Sequence, residues 1–427
     1  MIKMLAEEFL FSGPLRADCI FLGDLMDVGV GFSELPDSAA AGRQAVLEAM
    51  RQTCRSETCD LALLFATARH DAVLLREAVA SVVGPSVPIV GGGAVGAITN
   101  QHFGYAGDQI GIALFWFQGA RCDLVTQGGL DSDEEAAGER LGHKLARLGT
   151  APDSPVLLFY DAVDMACGYP RLIMATHLLR GMEKALGFLP DLNGAGLQGD
   201  HQCSPVPQWT GKGTATHHAL ALRFGGDVRV DAAIMHGCRP ATGYYTVTRA
   251  DRQTILEINE RPALDFMRDL LGPAVPPESY PFFLLLGVNQ GDRWGAFQEE
   301  NYASRLCLGL DAERGGLVMF EPDMVEGTEF QIMYRSLDLD YMVPRIEQTF
   351  SGLNGRRPVF ALYIDCAGRA AGYGGVDMED ALVVQKTVDG RVPLLGIYTG
   401  VEIASVRGRP RGLDWTGVFC LFSVPHE

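Results

Sequence analysis

Two twelve-residue stretches align without a gap: "VPIVGGGAVGAI" at Val87–Ile98 and "VPLLGIYTGVEI" at Val392–Ile403. They share the Val, the Pro, the glycine at Gly91 and Gly396 and the closing Ile. Each follows a helical stretch, and each helix follows an apolar strand with a polar exit, "LLFATARH" in one half and "ALYIDCAGR" in the other. A strand–helix–strand–glycine order that recurs near both ends of a chain points to duplication. The expected fold is therefore mixed α/β (α+β). Two pseudo-repeated domains would each carry a mixed, largely antiparallel sheet flanked by helices.

At 427 residues the chain is too long for one ordinary core. Apolar residues at 47% against 21% charged leave ample material for buried cores. The net charge of −18 excludes nucleic acid as a partner and disfavours an anionic membrane surface, since both need a basic face. The opening "MIKMLAEEFLFSG" places Glu7 and Glu8 where a signal-peptide core would be, and no apolar run reaches the ~18 residues of a membrane span. A soluble, cytoplasmic protein is expected. The ten cysteines include no C-x-x-C, which suits small buried hydrophobes in a reducing compartment.

Residues 1–27 read as a leading arm, 28–225 as a first domain and 226–427 as a second. Within the first, "DVGVGFSE", "DLALLFAT", "VPIV" and "SPVLLFYDA" read as strands. "DSAAAGRQAVLEAMRQTC", capped by Asp37 or Ser38, and "DAVLLREAVASVV" read as helices, as do "DSDEEAAGERLGHKLARLG" and the long "YPRLIMATHLLRGMEKALG". The Gly-punctuated run after Gly96 reads as a hairpin or meander, and "DLNGAGLQGDHQCSPVPQW" as a loop. The second domain ends with a helix at "VPRIEQTF", a buried strand at "PVFALYIDC", a helix at "MEDALVVQKTV" and a last strand at "TGVFCLFSV".

Gly91, Gly93 and Gly96 have the G-x-G-x-x-G spacing of a dinucleotide turn. That chemistry needs a helix starting at the third glycine and an acid about 20 residues on. Here the following segment is a poor helix, Asp108 comes too early and Asp123 too late. A tight approach of backbone to backbone, or a small-ligand loop with exposed N–H groups, suits these glycines better. His201, Cys203, His217 and His218 fit no familiar zinc spacing.

Two strand exits carry more chemistry. "IMHGCRPAT" sets His236, Cys238 and Arg239 at the end of an apolar strand, and "YIDCAGRAAGYGG" does the same for Asp365, Cys366 and Arg369. Cys366 as a nucleophile would need a base from elsewhere in the fold. Arg239 and Arg369 suit a carboxylate, which a guanidinium grips in two bonds, and Glu402 could answer an amine or pair with one of them.

These stretches, in order, resemble FIST proteins, with FIST-N and FIST-C domains. The resemblance rests on "VGVGFSELPD", "LALLFATARHD", "VPIVGGGAVGAI", "MHGCRPATGYYTVTRADRQTILEINERPALDF", "MVEGTEFQIM", "CAGR" at Cys366–Arg369, Glu379 and "GIYTGVEI". Ala97 stands where the family has an acid, which leaves Glu402 as the acidic member of the repeated pair. The resemblance implies a sensory, small-ligand-binding protein that signals through a partner, a histidine kinase or another signalling protein, and that could form a homodimer. One branch of the family resembles haem proteins that sense nitric oxide. Haem would need an axial histidine, with His236 first, then His201, His177 and His70. The implied ligand set is His236, Gly237, Cys238 and Arg239, with Cys366, Arg369, Tyr398 and Glu402, and Gly91, Gly92 and Gly93. The alternatives are an amino acid or other small carboxylate held in an arginine-lined cleft, or an enzyme using Cys366 or the His236/Cys238 pair.

Overall fold

The computed structural model describes residues 25–426 apart from 54, 56, 166–170 and 337. Residues 1–24 of the expected leading arm lie outside the described residues; residues 26 and 27 already belong to the first strand.

The first unit runs β1 (Met26–Ser33), α1 (Ser38–Arg51), β2 (Leu61–Ala66), α2 (Ala72–Val83), β3 (Ile89–Gly93), β4 (Gly96–Thr99), β5 (Phe103–Tyr105) and β6 (Ile110–Phe117). The second repeats it as β7 (Arg121–Gly128), α3 (Glu134–Arg147), β8 (Pro155–Asp161), a short pair β9 (Val163–Asp164) and β10 (Arg171–Leu172), α4 (Ala175–Leu186), β11 (Asp191–Leu197), β12 (Gln208–Gly211), β13 (Thr214–Ala215) and β14 (His218–Gly225). The third opens with β15 (Arg229–Met235) and is interrupted by an insert. The insert holds β16 (Cys238–Pro240), β17 (Tyr245–Asp251), β18 (Thr254–Ile258), β19 (Arg261–Pro262), α5 (Ala263–Leu271), β20 (Leu285–Asn289), β21 (Tyr302–Asp311), β22 (Gly316–Met319) and β23 (Glu329–Arg335). The third unit then resumes with α6 (Met342–Ser351), β24 (Arg357–Cys366), α7 (Ala371–Gly374), α8 (Asp380–Val388), β25 (Leu394–Thr399), β26 (Val401–Val406), β27 (Arg409–Leu413) and β28 (Gly417–Val424).

Local sequence explains the helices. Asp37 accepts from the Ala40 N–H at 2.7 Å and caps α1, and Asp71 caps α2 in the same way. In α3 the first-turn acids Glu134 and Glu135 and the last-turn bases Lys144 and Arg147 both oppose the helix dipole. The fourth helix starts later than its amphipathic pattern suggests, at Ala175, and has no side-chain cap of its own.

Three six-stranded sheets follow one plan: β1-β6-β2-β3-β12-β13, β7-β14-β8-β11-β26-β27 and β15-β28-β24-β25-β4-β5. Each has one parallel pair among the described strands, β2–β3, β8–β11 or β24–β25, and is otherwise antiparallel. The last two strands of every sheet are a hairpin lent by another unit. The first unit lends β4–β5 to the third, the second lends β12–β13 to the first, and the third lends β26–β27 to the second. The three inner faces share one core. There Phe115, Phe224 and Phe422 occupy equivalent positions, with ring centroids 6.4 Å apart for Phe115–Phe224 and 5.2 Å for Phe224–Phe422. Each outer face packs on two helices, α1 and α2, α3 and α4, or α6 and α8.

The mixed α+β class with largely antiparallel sheets and flanking helices thus matches the expectation, and the two copies seen in sequence have a third. It is the stretch expected to be a loop. "DLNGAGL" is β11, a central strand, because Gly194 plays the part of Gly91 and Gly396. A methyl group on Gly194 would lie 1.8 Å from the Leu158 carbonyl oxygen, one on Gly91 1.9 Å from that of Leu64, and one on Gly396 3.0 Å from that of Tyr363. Close backbone passage therefore explains these glycines. Gly91, Gly92 and Gly93 are all buried, and the space beside Gly92 and Gly93 is filled by Leu197, Gln208 and Val206.

Candidate functional site

The strand exits come in matching sets. Three residues beyond the carbonyl that meets each glycine stand Thr67, Asp161 and Cys366. Thr67 Oγ1 donates to the Gly107 carbonyl at 2.7 Å, and Asp161 accepts from the His217 N–H at 2.8 Å. Cys366 meets the Trp415 and Gly368 backbone N–H groups in the same place. Each side chain latches the turn that leads into its unit's closing strand. Burial, followed by the Glu402 and Asp365 carboxylates, pushes the Cys366 thiol well up, so it rests as a neutral thiol. A neutral, buried thiol does not favour the alternative of Cys366 as a nucleophile.

Gln208 and Glu402 form a second set, each one residue before the strand position that faces the close-packed glycine, with Ala97 as the third member. Gln208 Oε1 accepts from the His218 N–H at 3.0 Å, and Glu402 Oε2 from the Thr416 N–H at 3.2 Å. Glu402 is fully buried, and its other oxygen has no partner. Among the described residues it makes no ion pair with Arg239 or Arg369.

Arg369 is buried and spent on structure. It donates to Asp365 at 3.1 Å, to the His236 carbonyl at 3.0 Å, to Tyr341 Oη at 2.8 Å and to Asp380. Tyr398 Oη donates to Glu379 at 3.2 Å, and Tyr105 Oη shares the same carboxylate at 2.6 Å. His236 accepts from the Cys238 N–H at 2.9 Å on Nδ1 and lies 3.1 Å from the Glu299 carbonyl on Nε2, while Glu299 takes the N–H groups of His236 and Gly237. Gly237 has φ +64° and lies against the Tyr341 ring. This "HG" turn is where the chain leaves the third unit for the insert. Burial lifts the Cys238 thiol to about 12. Arg239 alone of this set is exposed, over the Phe297 ring at 5.5 Å.

His236 does not fit as a haem ligand, since both ring nitrogens are engaged inside the protein. His70 is occupied likewise by Ser38 and the Asp108 carbonyl. His201 is stacked on Tyr373 at 3.4 Å with Nε2 on the Ala367 carbonyl, and His177 lies 3.8 Å from Glu134. Neither cleft described below contains a histidine. Among the described residues no group of three or more His, Cys, Asp or Glu side chains is placed to hold a metal ion.

The open space lies elsewhere, where the insert meets the three-sheet core. A cleft of about 350 Å³ is bounded by Asn289 and Gln290 at the end of β20, by Asp323, Thr328 and Glu329, and by Arg411 of β27. Arg411 donates to Gln290 Oε1 at 2.8 Å and stands 3.9 Å from Asp323, while its Nε is buried without a partner among the described residues. Glu329 is held by Arg293 and Asp323 by Arg305, so both acids have partners and the guanidinium has unused donor capacity. Burial, then Arg305, pushes Arg411 below the usual arginine range, a bias that an incoming anion would relieve. A second cleft, about 180 Å³, sits on the other face of the β20–β21 pair, beside Tyr244, Phe297 and Tyr302.

Arg411 went unnoticed in the sequence because "RGRPRGL" carries no motif; an arginine at an inward strand position was the available signal. The insert is bolted down around this cleft. Arg305 donates to the Gly412 carbonyl at 3.0 Å, and Asp414 accepts from the Leu306 N–H at 2.9 Å. Glu321 caps α4 from outside, accepting from the Ala175 and Thr176 N–H groups.

The FIST N domain model matches residues 60–261 and the FIST C domain model residues 263–405. The chain belongs to the FIST family. FIST domains are sensory domains that bind small ligands in signalling proteins. In this FIST protein the two matches meet inside the insert, between β19 and α5, so both include parts of the third unit and its insert. FIST relatives include an uncharacterised protein of Mycobacterium tuberculosis, 26% identical across 93% of this chain and 100% of the relative. Another, of Mycobacterium bovis, is 25% identical across 93% of this chain and 99% of its own length. Among solved structures, PurLQS from Thermotoga maritima aligns with a TM-score of 0.21 and 8% identity over 93% of this chain and 72% of that one, too low to carry any argument. No described helix of the FIST chain is long and apolar enough to cross a membrane.

Proposed function

We propose that this FIST protein is a sensor for a small carboxylate, an amino acid or a simple organic acid, bound in the Arg411 cleft, and that its output passes through a partner protein such as a histidine kinase. One observation carries this: a guanidinium with a buried, unpartnered Nε faces a cleft of about 350 Å³ at the joint between insert and core. A space of that size is within the range of small-ligand sites. A carboxylate would complete the hydrogen bonding of Arg411, with Thr328 and Asn289 as further polar contacts. The haem reading has no support from the placement of the histidines, and the arginines first considered, Arg239 and Arg369, are replaced by Arg411.

The test is a thermal-shift and calorimetric screen of amino acids and of mono- and dicarboxylates. At least one should stabilise the native protein. Arg411→Ala should weaken its binding by roughly 10- to 100-fold, the range for one charge-assisted bidentate contact. Arg239→Ala should leave it unchanged. Undiminished binding by Arg411→Ala overturns the assignment.

A further inference from the structure

A row of charge runs from the wall of the cleft into the buried interior. Arg411 stands 3.9 Å from Asp323, and Asp323 is bound by Arg305. Arg305 is fully buried and reaches the Gly412 carbonyl, and the next residue's N–H, that of Leu306, is held by Asp414. Glu321, on the connection between β22 and β23, and Glu402, on β26, stand beside Asp414 and are buried as well. The row therefore holds four carboxylates, Asp323, Asp414, Glu321 and Glu402, against two guanidinium groups. Asp414 Oδ1 and Glu402 Oε1 have no hydrogen-bond partner among the described residues. Asp323 and Arg411 border the cleft, and the enclosed remainder sets three acids, Asp414, Glu321 and Glu402, against Arg305; with two acids in excess it cannot hold all of its negative charge, so part of it is carried as bound protons.

We propose that ligand binding at Arg411 is linked to uptake of a proton by this row, with Asp414 as the group that takes it. The inference rests on the Arg411 reading above and adds its regulation by pH. The groups facing Asp414 are Arg305 on β21, Glu321 and Asp323 on the β22–β23 connection, and Glu402 on β26, with the Tyr160 hydroxyl of β8 among the same acids. Burial raises Asp414 to about 7, with Glu321 and Asp323 adding to the effect against the pull of Arg305. Burial, with Asp414 and Asp365 adding to it, raises Glu402 well above the usual carboxylate range, whereas at Asp323 burial is offset by Arg305 and Arg411, which hold its carboxyl below that range. A bound carboxylate draws Arg411 away from Asp323 and adds a negative charge next to the row. The protonated form of Asp414 is then favoured more in the complex than in the free protein. Binding takes up a proton, and affinity falls as pH rises through about 7.

The probe is glutamate, titrated calorimetrically into the full chain at pH 6, 7 and 8, in phosphate and in Tris. The expected Kd rises roughly five- to tenfold from pH 6 to pH 8. The measured enthalpy should differ between the buffers in the sense of proton uptake, at up to about half a proton per site. Asp414→Asn, whose amide oxygen can still accept from the Leu306 N–H, should bind with nearly the same Kd at all three pH values. Glu321→Gln should move the midpoint of the pH dependence downward, and it keeps the test decisive if Asp414→Asn does not fold. Glutamate binding with a constant Kd and buffer-independent enthalpy overturns the linkage alone, as does an Asp414→Asn variant that retains the full slope. No glutamate binding at any pH overturns the cleft reading for this probe and the linkage with it.

Discussion

Arg369→Met is expected to destabilise the protein by about 3–5 kcal/mol, seen as a fall in Tm of roughly 10 °C. Arg369 is 6% exposed, and its guanidinium is bonded to Asp365 and Asp380, both nearly inaccessible, as well as to Tyr341 and the His236 carbonyl. Removing it strands two buried carboxylates and unties the start of the insert from the third unit. Combining Arg369→Met with Asp365→Asn and Asp380→Asn should recover more than half of the loss, since the cost lies in the unpaired charges. A single variant within about 1 kcal/mol of the native protein in urea unfolding would show that Arg369 is not the tie described.

Gly194→Ala should cost at least about 3 kcal/mol, at the upper end for overpacking, because its methyl group would lie 1.8 Å from the backbone oxygen of Leu158. Backbone cannot rotate aside as a side chain can. Two neighbouring strands of the second sheet would have to separate, and with them β26, which pairs with β11 through Gly194–Ile403. The lent hairpin makes the damage non-local, reaching the third unit. Gly213→Ala, with nothing within 4 Å, is the control and should stay within about 0.5 kcal/mol. Equal melting temperatures for the two variants would contradict the close-packed role of Gly194.

The element order was largely legible because many strands are continuous apolar runs and the first three helices carry their own Asp caps, at Asp37, Asp71 and Asp133. The duplication was legible because Gly91 and Gly396 share a Val-Pro approach. The third copy was not. In "DLNGAGL" the glycines that allow close strand contact displace the apolar residues by which a buried strand is recognised, and the Pro–Gly spacing is one residue longer, from Pro190 to Gly194. Strand lending is invisible in a sequence, since each hairpin reads as local. The candidate site was legible only in part. Polar residues at strand exits stand out in the sequence, and in the structure His236, Cys366, Arg369, Tyr398 and Glu402 are each bonded to backbone or to neighbouring side chains such as Asp365, Glu379 and Asp380. A strand exit that must bond its own closing turn looks, in sequence, like one that bonds a ligand. Arg411 carries no such signal, because its role depends on the insert brought over β27 by Arg305, Asp414 and Glu321.

The sensory role of the family and the placement of the cleft give a physical route from ligand to output. The insert is fixed to the core through charged groups that surround the cleft, and Glu321 holds the start of α4 in the second unit. A ligand that neutralises Arg411 alters the electrostatics at that joint. Hydrogen exchange read by mass spectrometry, with and without the stabilising carboxylate, tests the central claim most directly. Protection should increase in peptides containing Val288–Gln290, Gly327–Glu329 and Arg411, and should be unchanged around His201, Cys366 and Tyr373. Protection confined to the latter group, with none at Arg411, would contradict the account.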